Sequence, residues 1–152
     1  MTLEEIVFRL GLASLAGLLL GLDREFRGIA AGIRTHALVA LSSALITVSA
    51  MMIHHDLALH DAPGSDPLRV IQGLAQAVGF IAAGAIFVSR GNVHNLTSAA
   101  NIWLAAAVGI AAGAGQTMLL IVGVGFGAAI VTIVRVLERL IPGSIKSGGD
   151  ER

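Results

Sequence analysis

The stretch that decides the fold is residues 91–134, GNVHNLTSAANIWLAAAVGIAAGAGQTMLLIVGVGFGAAIVTIV, in which no Asp, Glu, Lys or Arg occurs. As one continuous α-helix it would be roughly 66 Å long, about twice the thickness of the hydrocarbon core of a bilayer. The stretch must therefore fold back once. Residues 113–116 (GAGQ) mark the turn, since two glycines and a glutamine interrupt the apolar run there. This predicts transmembrane helices at 96–113 and 117–137.

The rest of the chain has the composition of a membrane protein. Of its 152 residues, 55% are hydrophobic and 13% are charged, whereas a soluble domain has about 25% charged residues. Charges bound three more apolar stretches, which predicts helices at 6–22, 36–53 and 70–89. The expected fold class is all-α. It is a polytopic bundle of about five transmembrane helices in residues 1–137, followed by a flexible cytoplasmic tail at 138–152.

Basic residues are distributed unequally between the two sides of the membrane. Five crossings leave two of them, Arg9 and Arg69, on one side. The other eight share the opposite side: Arg24, Arg27, Arg34, Arg90, Arg135, Arg139, Lys146 and Arg152. Cytoplasmic loops carry the excess of Lys and Arg. We therefore predict that the N-terminus is outside and the C-terminus is cytoplasmic.

Several functional classes receive no support from the residues. The chain has no cysteine and no nucleophile motif, and no paired carboxylates face each other within the membrane, so we expect neither an enzyme nor a bound cofactor. Between Glu25 and Glu138, every acidic residue lies in the external loop. Magnesium prefers carboxylate ligands, so this argues against a magnesium pathway, although backbone carbonyls can line a filter and transport stays the alternative. No basic stripe with interleaved aromatics indicates nucleic-acid binding.

Small residues recur at four-residue spacing in the predicted helices. Lipid provides no hydrophobic drive for helix association, so small residues that allow close backbone contact mark helix-packing faces. This predicts a tight bundle or self-association, with a homo-oligomer, preferably a dimer, as the expected assembly. The glycines assigned to packing are Gly17, Gly21, Gly79, Gly84, Gly109 and Gly113.

Five segments together resemble the MgtC/SapB family of bacterial inner-membrane proteins. The segments are 17–25 (GLLLGLDRE), 31–39 (AGIRTHALV), 66–69 (DPLR), 78–86 (VGFIAAGAI) and 96–103 (LTSAANIW). They are similar, in order, to the end of the family's first helix with its acid-Arg-acid turn, its A-G-L-R-T-x-x-L-V segment, the approach to its third helix, its G-I-G-F-L-G-A-G-x-I helix and its G-L-T-T-A-A-x-x-W segment. The resemblance covers roughly residues 10–116.

The resemblance implies a multi-pass protein of the bacterial inner membrane. The family is linked to adaptation to low magnesium and to survival inside host cells (virulence). It is similar to regulators that act on other membrane complexes, including F-type ATP synthase. Ala82 and Asn95 depart from the family pattern, which has glycine at both places. Some members carry a soluble C-terminal domain, and we expect a short form without it here.

The first cytoplasmic loop is the leading candidate for function. Its residues are Asp23, Arg24, Glu25, Arg27, Arg34 and Thr35. Asp23 and Arg27 are four apart and can pair, and the three arginines are expected at the lipid headgroups. Three interpretations stay open: positive-inside charge alone, a docking surface for another integral membrane complex or an anionic headgroup, and a small-anion site. The resemblance favours docking, because this loop carries much of the family signature.

Two further groups of polar residues are weaker candidates. In the second cytoplasmic turn, Asn92, Asn95 or Thr97 is expected to cap helix four or to join the same surface. Asn101, inside the span, is expected to face a neighbouring helix. The external loop holds possible transition-metal ligands, and the alternative is a solvated loop; no metal site is assigned. These weak ligand candidates are His54, His55, Asp56 and His60.

Overall fold

The computed structural model describes residues 1–29, 31–60, 66–89 and 92–140, without the side chains at 92, 135 and 138–140. Five α-helices account for most of this part of the chain. They are α1 (Leu3–Phe26), α2 (Ile33–Leu59), α3 (Leu68–Ala85), α4 (Leu96–Gly113) and α5 (Thr117–Leu140). All five are long and apolar enough to cross a membrane. The predicted polytopic bundle is confirmed.

The helix boundaries differ from the predicted ones where charged residues stay helical. Helix α1 begins earlier than residue 6, because the Thr2 hydroxyl accepts a hydrogen bond from the Glu5 amide at 3.3 Å. It also continues through the charged residues to Phe26. Residues 138–140 belong to α5 rather than to a flexible tail, and 141–152 lie outside the described residues.

The predicted end of helix three at residue 89 is wrong. Helix α3 ends at Ala85, and Ile86 is already extended (φ −86°, ψ 131°). The chain then forms an antiparallel hairpin of two short strands, β1 (Phe87–Ser89) and β2 (Asn92–His94). The rings of Phe87 and His94 stack at 4.8 Å across it. Aromatic and β-branched residues favour extended backbone here, and this short hairpin joins two helices of an otherwise all-α fold.

Helix α4 lies at the centre of the bundle. In its membrane-spanning window 61% of the residues are buried, against 17% for α3 and 11% for α5. Helices α1, α2 and α4 pack closely on one another. Helix α3 lies mainly against α4, and α5 lies against α4 and α1. The two outer helices therefore expose most of their surface.

Glycines bring the three central helices into backbone contact. A Cβ on Gly17 would lie 2.6 Å from the His36 carbonyl oxygen, and one on Gly21 would lie 2.6 Å from the Ile33 Cα. On the other side of α2, Gly109 lies against the Ala40 carbonyl. Further along, a Cβ on Gly113 would lie 2.6 Å from the Ala44 carbonyl oxygen. Helix α2 is thus held between α1 and α4 at distances that only glycine allows.

The glycines of α3 behave differently. A Cβ on Gly79 or Gly84 would meet no atom within 4 Å. Neither glycine therefore packs closely against any of the described residues, as the prediction required.

The alternating directions of the five helices define two ends of the bundle. The end of α1, the start of α2, the hairpin, the start of α4 and the end of α5 lie together, and we call this the basic end. Arg24, Arg27 and Arg34 belong to it, and α5 brings Arg135 and Arg139 toward it. The other end, called the opposite end, carries the N-terminus and the α4–α5 turn.

Candidate functional site at the basic end

The connection between α1 and α2 is a tight turn. Gly28 (φ 64°) and Ala31 (φ 59°) both adopt the left-handed conformation. One carboxylate oxygen of Glu25 accepts a hydrogen bond from the Ile33 amide at 3.0 Å. The same carboxylate fills the space that a Cβ on Gly32 would need. Glu25 therefore caps the start of α2, where unpaired amides and the helix dipole favour a negative charge.

Arg24 is buried rather than exposed at the headgroups, so that prediction is wrong. Its exposed fraction is 1%, and its Nη2 donates a hydrogen bond to the Ser98 hydroxyl on α4. The reason is helical phase. Because α1 continues to Phe26, Arg24 follows Gly17 and Gly21 on the face that packs inward, at i, i+4 and i+7. That spacing is visible in the sequence and could have indicated the burial.

His36 lies beside Arg24 in the same interior cluster. It is 0% exposed, and the contacts of Gly17 and Gly21 place its helix, α2, against the face of α1 that carries Arg24. The imidazole Nδ1 is 2.9 Å from the Gly32 carbonyl oxygen, so Nδ1 is the donor. Among the described residues no group bonds the buried Nε2. The bond from Arg24 to Ser98 thus joins α1 to α4, while His36 is bonded at the start of its own helix.

The remaining loop candidates form an exposed rim around this cluster. Arg27 and Asp23 make the predicted ion pair at 3.1 Å, which is confirmed, with side chains 40% and 33% exposed. Arg34 is exposed and Thr35 is half-buried on the first turn of α2. Phe26, 86% exposed, stands next to Arg27. The structure therefore separates the six predicted loop residues into an interior arginine, a helix cap and an exposed basic rim.

The second turn is organised by Asn95, and the predicted side-chain cap of helix four is wrong. Asn95 is the N-cap residue of α4 but makes no side-chain cap bond. Its amide instead donates to the Ala85 carbonyl at the end of α3, at 3.1 Å. Its φ is 66°, a conformation that glycine and asparagine tolerate best. This explains how asparagine replaces the glycine of the family pattern.

The other candidates of this turn are spread apart. Thr97 is exposed on the first turn of α4, whereas Asn101, one turn further, is 8% exposed and buried. Asn92 pairs with Ser89 in the hairpin register. Phe87, Val88 and Val93 of the hairpin are all more than half exposed, at 52%, 69% and 52%. The hairpin therefore adds an apolar edge to the basic end.

The opposite end does not assemble a metal site from the weak candidates. His54, His55, Asp56 and His60 are all exposed on α2 or at its end. The ring of His60 bonds the Asp56 backbone carbonyl at 2.8 Å rather than its carboxylate. Within the described ranges, no three His, Cys, Asp or Glu residues are grouped as metal ligands would be.

Arg9 holds the opposite end together. It pairs with Glu5 at 2.5 Å, as their spacing predicts, and it donates to the Gly113 carbonyl at 2.7 Å. The guanidinium thus satisfies a carbonyl at the end of α4, beside the turn made by Gly115 (φ 75°).

Comparison with known proteins shows which family has this five-helix arrangement. The model of a family described as the MgtC family matches residues 10–140, which include nearly the whole bundle. The chain belongs to the MgtC family. With five membrane-spanning helices, this MgtC-family chain is a multi-pass protein of the bacterial inner membrane.

Curated relatives agree with the family assignment. The chain is 40% identical to the putative magnesium transporter YhiD of Escherichia coli K12 over 119 residues, 78% of this chain and 55% of the relative. It is 36% identical to protein MgtC of Brucella abortus over 129 residues, 85% and 51% of the two chains. It is also 36% identical to protein SapB of Bacillus subtilis over 112 residues, 73% and 48%. The chain thus spans about half the length of these relatives, and no solved structure gives a significant match.

The basic end of this MgtC-family bundle consists of an interior cluster and an exposed rim. Its interior cluster combines Arg24, which donates to the Ser98 hydroxyl, with His36, which donates to the Gly32 carbonyl. Its rim presents exposed arginines beside exposed apolar side chains. The exposed rim suits recognition of another molecule at the membrane boundary.

Proposed function

We propose that this protein is a non-enzymatic regulator in magnesium homeostasis that acts by binding another integral membrane complex through its basic end. The link to magnesium rests on family membership and on the relative named as a putative magnesium transporter. The class of partner, a complex such as F-type ATP synthase, rests on the resemblance of the first loop and the second turn to the family pattern. We also propose that the protein supports growth at low magnesium and survival inside host cells.

The packing of the bundle interior favours a regulator over a transporter. Helices α1, α2 and α4 meet at glycine–backbone contacts, which leave no room for a hydrated ion between them. The buried charge at its basic end is the cation of Arg24, which would repel Mg²⁺. A magnesium route needs oxygen ligands, usually carboxylates with retained waters.

Transport is the second candidate, and one set of residues favours it. Ser43, Thr47 and Asn101 are buried polar side chains within the spans. The Thr47 hydroxyl, however, donates to the Ser43 carbonyl at 2.7 Å, which is the usual bonding of a hydroxyl inside its own helix. These residues therefore support a pathway less well than the rim supports docking.

Magnesium flux distinguishes the two candidates. The purified protein is reconstituted in liposomes that contain a magnesium indicator dye, with protein-free vesicles and a known magnesium channel as controls. We expect no entry above that of the protein-free vesicles. Protein-dependent entry would overturn the choice of regulator.

Copurification tests the docking surface. Solubilised native membranes are probed for F-type ATP synthase subunits after capture of the tagged protein. Arg27→Glu combined with Arg34→Glu reverses the charge of the exposed rim, and we expect it to abolish copurification. Arg69→Glu, at the opposite end, is the matched control and should leave it intact. If the synthase is absent from the wild-type capture, or if the rim variant retains it, this docking model is wrong.

A further inference from the structure

The outward face of α3 carries polar side chains that would be exposed to the hydrocarbon of the bilayer. Gln72 and Gln76 are both exposed, on the side of the helix away from the buried Leu74, Val78 and Ala82. Gln76 stands at the middle of this 18-residue spanning helix, so its amide lies near the bilayer midplane. Neither glutamine side chain has a hydrogen-bond partner within the part of the chain that the structure describes.

An amide in hydrocarbon is as isolated from water as one in a protein core. An unpaired amide there costs a few kcal/mol by transfer estimates, on the order of 2–7. Glutamine is also too short at mid-depth to reach the headgroups. Membrane proteins resolve this situation by hydrogen-bonding such side chains across a helix–helix interface. The exposed amides therefore indicate that another helix covers this face.

The shape of the face fits close approach of a helix. Gly73, Gly79 and Gly84 flank the glutamines, and a Cβ on any of them would meet open space. By contrast, the glycines of α1 and α4 that the sequence also indicated are already used against α2. Among the described residues, the glycines of α3 are thus available for a contact with another chain, while the glycines by which α1 and α4 contact α2 are not.

We infer that the partner on this face is α3 of a second copy, in a parallel contact about a twofold axis along the membrane normal. The glutamines favour a second copy over another partner. A glutamine amide is both donor and acceptor, so Gln76 can pair with Gln76 of the second copy when a twofold axis places the two opposite each other. Phe80, 84% exposed one turn from Gln76, then packs over the small residues of the facing helix.

Cysteine cross-linking tests this contact directly, because the chain contains no cysteine of its own. Gly73→Cys and Ala83→Cys each place one thiol on the α3 face. Ile130→Cys on α5, at a position 60% exposed, is the lipid-facing control. In liposomes with an oxidant, we expect dimers from the two α3 variants and none from the α5 variant. Absence of α3 dimers, or equal yields from α5, would overturn the inference.

The glutamines need a separate test, because cross-linking shows only proximity. Gln76→Leu should lower the dimer association constant roughly tenfold, since a symmetric pair of interhelical hydrogen bonds is lost. Gln116→Leu, at the exposed α4–α5 turn, is the matched control and should leave association unchanged. Energy transfer between labelled copies in liposomes measures both. Undiminished association of Gln76→Leu would contradict the proposal. In native membranes, cross-links from α3 to a different membrane protein without any homodimer would contradict it too.

Discussion

Arg24 and Arg27 show how two neighbouring arginines of one loop acquire different roles. Arg27 pairs with Asp23 at the surface, whereas Arg24 is buried and donates to Ser98 on α4. Two residues separate them, and helical phase turns only the first toward the central helices. Loss of Arg24 therefore removes a contact between α1 and α4, while loss of Arg27 removes one exposed ion pair.

We predict that Arg24→Ala destabilises the bundle by about 2–3 kcal/mol, because a hydrogen bond to a charged group is lost in the interior. Arg27→Ala should cost less than about 1 kcal/mol, as exposed ion pairs do. Unfolding by sodium dodecyl sulfate in mild-detergent micelles, followed by the fluorescence of Trp103, measures both. Equal stabilities of the two variants would show that Arg24 has no structural role. Arg24→Ala is consequently a poor test of docking, and the rim arginines are better.

At the scale of elements, the five spans were predictable because lipid demands long apolar helices with internally bonded backbones. The residues at which the helices begin and end were less predictable. The charges predict that residues 23–25 are loop, yet they are helical, and Asp23 pairs with Arg27 one turn later. The hairpin after α3 escaped prediction because each strand has only three residues.

The candidate site was only partly predictable for a related reason. The loop and the turn that form the basic end could be located by their charge and by the family resemblance. The spacing of Arg24 from Gly17 and Gly21 indicates which arginine enters the interior, but its partner Ser98 lies 74 positions away in the chain and could not be predicted. The αL conformation of Asn95 likewise follows from how the hairpin joins α3 to α4.

The glycine contacts give a prediction at the scale of helix pairs. Gly109→Ala places a methyl group against the Ala40 carbonyl, so α2 and α4 must separate, at an expected cost of about 1–3 kcal/mol. Gly125→Ala adds the same methyl group into open space on α5 and should change stability by less than about 1 kcal/mol. The same denaturation assay compares them. A similar loss in both variants would mean that helix propensity, rather than contact, sets the effect.

At the scale of the whole molecule, the two ends of the bundle differ in charge and in construction. The basic end carries the rim arginines, the apolar hairpin edge and the interior cluster. At the opposite end, Arg9 is committed to Glu5 and to the Gly113 carbonyl. Because Lys and Arg are retained on the cytoplasmic side during insertion, we predict that the basic end faces the cytoplasm.

Single cysteines report this orientation in the cysteine-free chain. Ala58→Cys lies at an exposed position near the end of α2 at the opposite end, and Ser89→Cys lies at an exposed position in β1 at the basic end. A membrane-impermeant maleimide should label Ala58→Cys in right-side-out vesicles and Ser89→Cys only in inverted ones. The reverse pattern would place the rim outside the cell. A complex whose accessible parts are cytoplasmic could then not bind there, and the docking proposal would fail even if no magnesium crossed the membrane.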